Sequence, residues 1–494
     1  MPTLNLSKTR FLAGLQCEKR LWLDLYQRDL ADQTSQATQS VFDQGLMVGQ
    51  LAQTLFLDGV LIDEDYLHLP QAVQATQKAV AAGYDTLFEA AAQTQRAQAR
   101  ADILRRVQPG ANEWDLIEIK STTRVKEEHF TDLAFQKYVF EGAGYPIRKA
   151  ILGHLNRNYT RQGPLDLQAL FTLSDQTPAV DALLKAVPPQ LKRLLKVAEG
   201  DQAPPVPIGP HCQSPYDCPF LGHCWKDVPE KSVFTLGGRK TFVWDLYHQG
   251  TKLLVDIPDT IRLSSAQRKQ IAVAREGQAS WKVPAIQKFL ERLEYPLSFL
   301  DFETVQLAVP PYDGCRPFDA LPTQFSLHTL NKTNHLEHNE FLADGQSDPR
   351  QPFAEALLKA IPEKGSILIY SPYENRILQE TALFLPKLKS RLLGLVGRTV
   401  DLAAPFRQQQ VLHPDFEGSY SIKVVLPTLV PGMDYDHLAI GDGTAAVAAY
   451  LRLMDPKVTD ASKKKIRKDL LIYCAQDTLA MVKIVDVLRE KVSV

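Results

Sequence analysis

The stretch RADILRRVQPGANEWDLIEIK at residues 100–120 carries two predicted β-strands, each with an acidic residue. In the second strand, apolar residues alternate with polar ones, which puts Glu118 and Lys120 on one face. Asp102 lies in the first strand, so the two carboxylates can converge. Together they would hold a divalent cation, and the Lys120 ammonium would lie near an attacking water or a scissile phosphate. Exposed strands also alternate charges, so this pattern by itself is a weak signal.

A helix is predicted directly after these strands, in HFTDLAFQKYVFEGAG at residues 129–144. It carries Gln136 on a face of mixed polarity. This glutamine is either part of the same site or a solvated position on the helix surface.

Four cysteines bracket this region. Cys17 stands alone near the start, and Cys212, Cys218 and Cys224 follow in HCQSPYDCPFLGHC at residues 211–224. Zinc sites usually use cysteine pairs two to four residues apart, whereas five residues separate each neighbouring pair here. The spacing therefore favours a [4Fe–4S] cluster, for which four cysteines suffice. Zinc and four unrelated buried cysteines are the alternatives.

Composition limits the class of protein. The chain has 494 residues, enough for two to four domains, and a net charge of −1, so any surface that attracts nucleic acid must be local. There is no stretch of about 18 apolar residues that would span a membrane. Six cysteines without a secretory signal favour a reducing, cytoplasmic compartment. We interpret Cys315 and Cys474 as core or strand residues, and His211 and His223 as bystanders.

A second pair of acids lies in LSFLDFETVQL at residues 297–307. Asp301 and Glu303 are two residues apart in an apolar strand, so they point to the same face. Burying two like charges there costs several kcal/mol unless a cation neutralises them. The alternative is an edge strand with solvated acids, which the apolar flanks disfavour.

Two further segments add acids to this second cluster. GSILIYSPYENRIL is predicted as a strand that ends at a turn, with Glu374 just beyond it. KDLLIYCAQDTLAMVKIV is predicted as an apolar helix, on which Tyr473 and Asp477 share a face because they are four residues apart. Acids in strand, strand-end and helix contexts suit a site for two cations about 3.5–4 Å apart.

The first part of the chain resembles the iron–sulfur relatives of RecB-type nucleases in the PD-(D/E)XK superfamily. The resemblance rests on the four cysteines, the opening SKTRFLAGLQCEKRLWL, and the Asp, Glu-x-Lys and Gln positions named above. It implies catalytic roles for Asp102, Glu118, Lys120 and Gln136, with Asp102 and Glu118 binding metal. Two positions depart from that pattern. Gly49, four residues after Gly45, stands where a histidine ligand is common, and Phe140 replaces a tyrosine.

The last part resembles a DnaQ-like 3′–5′ exonuclease on the RNase H-like fold. The pair Tyr373-Glu374 is similar to its second motif, where Asp is usual, and Tyr473-x-x-x-Asp477 is similar to its third. The resemblance implies that Asp301, Glu303, Glu374 and Asp477 bind metal and that Tyr473 orients the attacking water. GSYSIKVVLPTLVPGMDY and IGDGTAA resemble a bacterial family of unknown function that carries such a domain behind an iron–sulfur nuclease. Lys423 and Asp401 are expected near the site or as structural residues.

These observations predict an α/β (α+β) protein in three parts. Residues 1–230 would form an iron–sulfur PD-(D/E)XK domain, 231–290 a helical connector, and 291–494 a DnaQ-like domain. The expected cofactors are a [4Fe–4S] cluster and Mg²⁺ or Mn²⁺. The expected partner is DNA or RNA, single-stranded or with free ends.

The expected activity is that of a nuclease with two sites. Two alternatives remain for the first part of the chain. It could be a nucleic-acid-binding module with a decayed nuclease core, or a redox sensor switched by cluster oxidation. Basic residues near the start either contact phosphates or cap the surface; they are Lys8, Arg10, Lys19 and Arg20.

Overall fold

The computed structural model of the chain describes residues 4–65, 68–94 and 96–493. The chain forms two compact units. The first comprises Met1–Asp227 and Leu307–Asp319, and the second comprises Val228–Gln306 and Ala320–Val494. Both units mix helices with sheets, so the predicted α/β class is confirmed at that level.

The first unit contains seven strands and nine α-helices among its described residues. The strands are β1 (Leu6–Ser7), β2 (Gly59–Leu61), β3 (Thr86–Thr94), β4 (Ala97–Arg106), β5 (Trp114–Lys120), β6 (Ile147–Leu155) and β7 (Phe171–Asp175). The helices are α1 (Lys8–Gln16), α2 (Glu18–Tyr26), α3 (Gln36–Gln53), α4 (Leu69–Ala81), α5 (Glu127–Gly142), α6 (Leu167–Leu170), α7 (Thr177–Leu184), α8 (Val187–Ala198) and α9 (Leu221–Trp225).

The strands of the first unit form one sheet in the order β2-β3-β4-β5-β6-β7, with β1 paired to β4. β4 and β5 are antiparallel, with Ile103 opposite Ile117. The same register, continued by one residue, sets Asp102 opposite Glu118 on one face of the sheet. α5 packs over β3, β4 and β6, so Gln136 and the two acids meet between this helix and the sheet.

The second unit contains seven strands and ten α-helices among its described residues. The strands are β8 (Ser280–Trp281), β9 (Leu297–Gln306), β10 (Ala320–Leu330), β11 (Leu336–Leu342), β12 (Ile367–Ile369), β13 (Thr399–Asp401) and β14 (Val411–Leu412). The helices are α10 (Val243–His248), α11 (Ser265–Glu276), α12 (Val283–Leu290), α13 (Arg350–Ala360), α14 (Tyr373–Phe384), α15 (Lys389–Val396), α16 (Ala404–Arg407), α17 (Ile422–Leu429), α18 (Gly443–Met454) and α19 (Asp460–Ser493).

The main sheet of the second unit has the order β11-β10-β9-β12-β13. β10 pairs antiparallel with β11 and with β9, whereas β12 pairs parallel with β9 and with β13. Alternation along β9 divides its residues between two cores: Phe299 packs with α19, and Leu300 packs with α13 and α14. Asp301 and Glu303 share the face of Phe299, so they point toward α19.

The division into units differs from the predicted one in two places. The predicted connector belongs to the second unit, because its helix α12 packs against α19. Leu307–Asp319 interrupts the second unit in sequence but belongs to the first. Its residues Gly314 and Cys315 exchange backbone hydrogen bonds with Arg161 at 2.8 and 2.9 Å.

No helix within residues 4–65, 68–94 and 96–493 has the length and apolar character needed to cross a bilayer.

Candidate metal centres and catalytic sites

The four predicted cysteine ligands line one small cavity of the first unit. Cys17 comes from the junction of α1 and α2, and the others come from the irregular chain before and within α9. Gln16 ties the two segments together, since its Nε2 donates to the carbonyl oxygens of His211 and Tyr216 at 2.7 and 2.6 Å. The structure therefore brings together residues about 200 positions apart in sequence, as the predicted site requires.

The surroundings of these cysteines are partly buried and basic. Burial raises the thiol pKa of Cys17, Cys218 and Cys224 above the ordinary value. Lys19 and Arg20 line the same cavity. These two basic residues therefore do more than cover the surface, which was one of the two roles expected for them. Cationic side chains favour the thiolate form that binds metal.

The spacing of the sulfurs bears on the kind of metal. Among the described residues, the cysteines contribute no set of three potential ligand atoms within 4.8 Å of one another. Tetrahedral zinc with Zn–S bonds of about 2.3 Å would hold its sulfurs about 3.8 Å apart. No three of the four thiols therefore lie as close together as the ligands of one bound zinc ion would.

The first acid cluster is a hydrogen-bonded network between β5, α1 and α5. Glu118 Oε1 accepts from Lys120 Nζ at 2.7 Å and from Lys8 Nζ at 2.9 Å. Its other oxygen accepts from Gln136 Nε2 at 2.7 Å. Asp132 faces the same lysines, at 2.6 Å from Lys120 Nζ and 3.2 Å from Lys8 Nζ. The predicted residues Glu118, Lys120 and Gln136 thus lie in one site.

Asp102 completes this cluster from the neighbouring strand. Its Oδ2 accepts the backbone N–H of Ile119 at 2.6 Å. Burial and the negative charge of Glu118 raise the pKa of Asp102 to about 8. A carboxyl with such a pKa is an acid that a bound cation would ionise, so Asp102 is the member of this cluster most responsive to metal.

Lysine charges dominate the rest of the network. Burial alone would raise the pKa of Asp132, but Lys8 and Lys120 lower it below the ordinary range. Burial alone would likewise lower the pKa of each lysine, yet the carboxylates of Asp132 and Glu118 raise both above the ordinary value. Asp132, Lys8 and Lys120 are therefore charged at neutral pH, and Glu118 lies within ion-pair distance of both lysines.

Sequence reasoning missed Asp132 and left the role of Lys8 open. Asp132 lies four residues before Gln136, and their side chains hydrogen-bond at 2.9 Å, so helical spacing could have found it. The positions that depart from the nuclease pattern lie outside the network. Gly49 belongs to α3, where a side chain would meet open space, and Phe140 is fully buried in the core.

The second acid cluster lies where β9 meets α19. Asp301, Glu303 and Asp477 each offer an oxygen, and these oxygens lie within 4.8 Å of one another. They form the single such group of three potential ligands among the described residues. Asp477 is buried. Cys474, predicted as a core residue, is buried beside them, with its Sγ 3.5 Å from Asp301 Oδ2.

Burial raises the pKa of all three acids in this cluster, and repulsion from neighbouring acids adds to the rise at Asp301 and Glu303. Burial and the charges of Asp477 and Glu374 raise the pKa of Asp301 well above the ordinary range. Burial and Asp477 raise that of Glu303 to about 8. Burial also raises the pKa of Asp477, against hydrogen bonds from tyrosines. The folded chain thus holds acids that resist ionisation unless a cation lies between them.

Glu374 lies next to this triad rather than within it. It is buried in the first turn of α14 and accepts a hydrogen bond from Ser371 Oγ at 3.3 Å. Burial raises its pKa to about 7, and the charges of Asp401 and Asp477 add to that rise. The charges of nearby acids therefore affect the pKa of Glu374, although its oxygens do not belong to the group of three that lie within 4.8 Å of one another.

Two tyrosines and a lysine surround Asp477. Tyr435 Oη donates to Asp477 Oδ1 at 2.6 Å, and Tyr473 lies beside the same carboxylate. Burial and the negative charge of Asp477 raise the pKa of both tyrosines. Lys423 Nζ lies 5.4 and 5.0 Å from the two ring centroids, of Tyr435 and Tyr473, and donates to the carbonyl oxygen of Gly441 at 2.7 Å.

Sequence reasoning did not assign a role to Tyr435, although the residue ends a stretch that it quoted. Lys423 was expected near the site, and its positive charge lowers the pKa of Glu303 and Asp477 against the effect of burial. Asp401 is ion-paired with Arg407 at 2.5 Å. Tyr373, from the predicted second motif, shares a hydrogen bond of 2.5 Å with Thr304 instead of contacting the acids.

The chain is similar to one domain family and to two curated proteins, and none of these has a stated activity. Residues 298–421 match the family described as Domain of unknown function (DUF2779). The uncharacterized protein UU173 of Ureaplasma parvum is 26% identical over 207 residues, which are 37% of this chain and 30% of that protein. The uncharacterized MG366 homolog of Mycoplasma pneumoniae is 25% identical over 240 residues, 44% of this chain and 34% of that protein. The chain spans about a third of the length of these curated relatives.

Proposed function

We propose that this protein is a metal-dependent nuclease that hydrolyses phosphodiester bonds of DNA or RNA at two sites. The second site would be a 3′–5′ exonuclease centre on an RNase H-like fold. The carrying observation is the group of Asp301, Glu303 and Asp477, two half-buried acids and one buried one, whose oxygens lie within 4.8 Å of one another. Magnesium or manganese bound there would stabilise the attacking and leaving oxygens of the displacement.

The protein's own residues have distinct roles in the proposed second site. Asp301, Glu303 and Asp477 would supply ligand oxygens, and Glu374 would add one from the start of α14. Tyr435 occupies Asp477 Oδ1, which leaves Oδ2 to face the cation. Tyr473 would hold the attacking water through its hydroxyl, as the resemblance implies, once Asp477 engages the cation.

The proposed first site would combine Asp102 and Glu118 as ligands with Lys120 as the electrostatic partner of the scissile phosphate. Gln136 and Asp132 hold Glu118 and Lys120 in place through hydrogen bonds of 2.7 and 2.6 Å. The catalytic contribution of Lys120 would be stabilisation of developing negative charge in a partly buried site.

The proposed [4Fe–4S] cluster would be held by Cys17, Cys212, Cys218 and Cys224. Its support is the shared cavity together with the five-residue spacing of Cys212, Cys218 and Cys224 in the sequence. The cluster would join α1 to the segment before α9, so its role would be structural. A cytoplasmic location, where such thiols stay reduced, remains part of the proposal.

One observation favours a second function for the first unit. Lys8 and Lys120 already neutralise Glu118 and Asp132 through four contacts of 3.2 Å or less. Such a cluster is stable without a cation, as expected of a nucleic-acid-binding module that has lost hydrolysis. The missing histidine at Gly49 agrees with that alternative.

Digestion of end-labelled single- and double-stranded DNA and RNA tests the proposal. The parent chain and the variants Asp301→Ala, Glu118→Ala and the double variant would be compared in magnesium, manganese and EDTA. Glu113→Ala and Glu340→Ala, which remove one exposed acid from the first and second unit respectively, are the matched controls. Each site variant should lose about 10²-fold of one activity, and the double variant should lose both.

The outcomes separate the two functions. If adding Glu118→Ala to Asp301→Ala causes no loss of digestion beyond that of Asp301→Ala alone but weakens substrate binding, the first unit is a binding module. If Asp301→Ala and Glu118→Ala together leave digestion unchanged, the nuclease proposal fails.

A further inference from the structure

A cavity of about 370 Å³ lies within the second unit, outside the acid cluster. α11 and the loop at Gly237 form one wall, and the chain from Phe406 to Tyr420 forms the other. This volume is within the range of pockets that hold small organic ligands. The nuclease roles proposed above make no use of it.

The second wall is tied to the acid cluster at both of its ends. At the first end, Arg407 lines the cavity and pairs with Asp401 at 2.5 Å. Asp401 is paired in the sheet with Ile369 at the end of β12, directly before the turn that leads to Glu374. At the other end, Tyr420 lies three residues before Lys423 in sequence, which is at most about 11 Å of chain. Lys423 Nζ lies 5.0 Å from the ring centroid of Tyr473.

The lining suits a flat ligand that has polar edges. Phe406 and Phe416 give apolar surface, and Tyr420 offers an exposed ring (47% exposed). His413 Nδ1 accepts the backbone N–H of Asp415 at 3.2 Å, so Nε2 carries the proton and can donate to a ligand. Gln408, which is exposed, adds an amide group.

We propose that this cavity binds an unpaired nucleobase of the nucleic-acid strand whose end lies at the second acid cluster. Bases stack on aromatic and guanidinium surfaces, and their edges pair with amide and imidazole groups. Arg407 and Tyr420 supply the first kind of contact, and Gln408 and His413 supply the second. The inference rests on the proposed exonuclease function and extends it, because a base held in a Watson–Crick pair cannot enter a pocket.

Binding measurements in EDTA test the pocket without requiring hydrolysis. The probes are fluorescein-labelled dT and rU oligonucleotides of about ten residues, intact or with one abasic unit at each of the first four positions from the 3′ end. For the parent chain, one abasic position should weaken binding by about tenfold. The position that does so identifies the base held in the cavity.

Two variants complete a cycle with that oligonucleotide series. Tyr420→Ala and Gln408→Ala change exposed side chains, so the fold should persist, which melting temperatures check. Each should weaken binding of intact oligonucleotide, and Tyr420→Ala should show no further loss at the critical abasic position. Tyr84→Ala removes a tyrosine of similar exposure (46%) in the first unit and should bind like the parent.

The results distinguish failure of the pocket from failure of the nuclease. Two results would overturn the pocket proposal alone, provided that the parent digests and binds intact strands. One is that Tyr420→Ala binds intact strands as well as the parent does. The other is that the parent loses affinity equally at every abasic position. If the parent neither binds nor digests any oligonucleotide, the pocket and the proposed function are both overturned.

Discussion

Raising the pH in the absence of divalent cations should destabilise the second unit, and Glu303→Gln should remove part of that effect. Burial and Asp477 raise the pKa of Glu303 from its ordinary 4.5 to about 8. A folded-state pKa above the unfolded-state value means that the native chain binds more protons between these two values. Stability is therefore highest near or below pH 4.5 and falls as the pH rises toward 8.

The size of the effect follows from the same numbers. One pKa unit corresponds to about 1.4 kcal/mol, so the change at Glu303 corresponds to about 5 kcal/mol at high pH. Bound cations should reverse much of this loss, because they bind the native state alone. At a cation concentration 100 times the dissociation constant, the gain is about 2.7 kcal/mol.

Urea unfolding between pH 5 and 9, in EDTA and then in magnesium or manganese, measures both effects. Glu303→Gln should flatten the pH dependence in EDTA and reduce the stabilisation by cations. Glu340→Gln, an exposed glutamate on β11 of the same sheet, is the matched control and should behave like the parent. Identical profiles for the two variants would refute the electrostatic argument, as would stability that rises between pH 5 and 8 in EDTA.

Three further outcomes are expected. Tyr435→Phe should cost about 1–3 kcal/mol of unfolding free energy and weaken stabilisation by cations, because the buried Asp477 loses a hydrogen bond. Anaerobically purified protein should contain about four iron atoms per chain, which iron analysis measures. Cys212→Ser should lower the iron content, whereas Cys315→Ser, which changes another buried cysteine, should leave it unchanged. Zinc in place of iron, at one ion per chain, would contradict the cluster. Asp132→Asn should destabilise the first unit by about 3–5 kcal/mol, because a buried pair loses one partner, and an unchanged urea midpoint would oppose this.

Local periodicity explains which parts of the sites could be predicted from the sequence. The two-residue period of a strand puts Asp301 and Glu303 on one face, and the helical period does the same for Tyr473 and Asp477. The structure keeps those relations, with three of these four residues supplying the ligand group. Asp132 lies four residues before Gln136 on the same helix, so the helical period predicts it as a neighbour of Gln136 in the first acid cluster.

Contacts between distant segments explain what could not be predicted. Lys8 reaches Glu118 across 110 residues of sequence, and Tyr435 reaches Asp477 across 42. No local period relates such residues, because tertiary packing alone decides which loop covers a site. Leu307–Asp319 shows the same limit for domain boundaries, since it interrupts a hairpin of the second unit yet belongs to the first.

The two acid clusters neutralise their charge in different ways, and this difference decides what each needs. In the first, Lys8 and Lys120 both contact Glu118 and Asp132, so removing cations should destabilise the first unit less than the second. In the second, the described residues include no ion pair of a lysine or arginine with Asp301, Glu303 or Asp477. The repulsion there is relieved by protons or by cations. Cations should therefore support both hydrolysis and folding of the second unit, which makes its stability a readout of metal binding that is independent of any substrate.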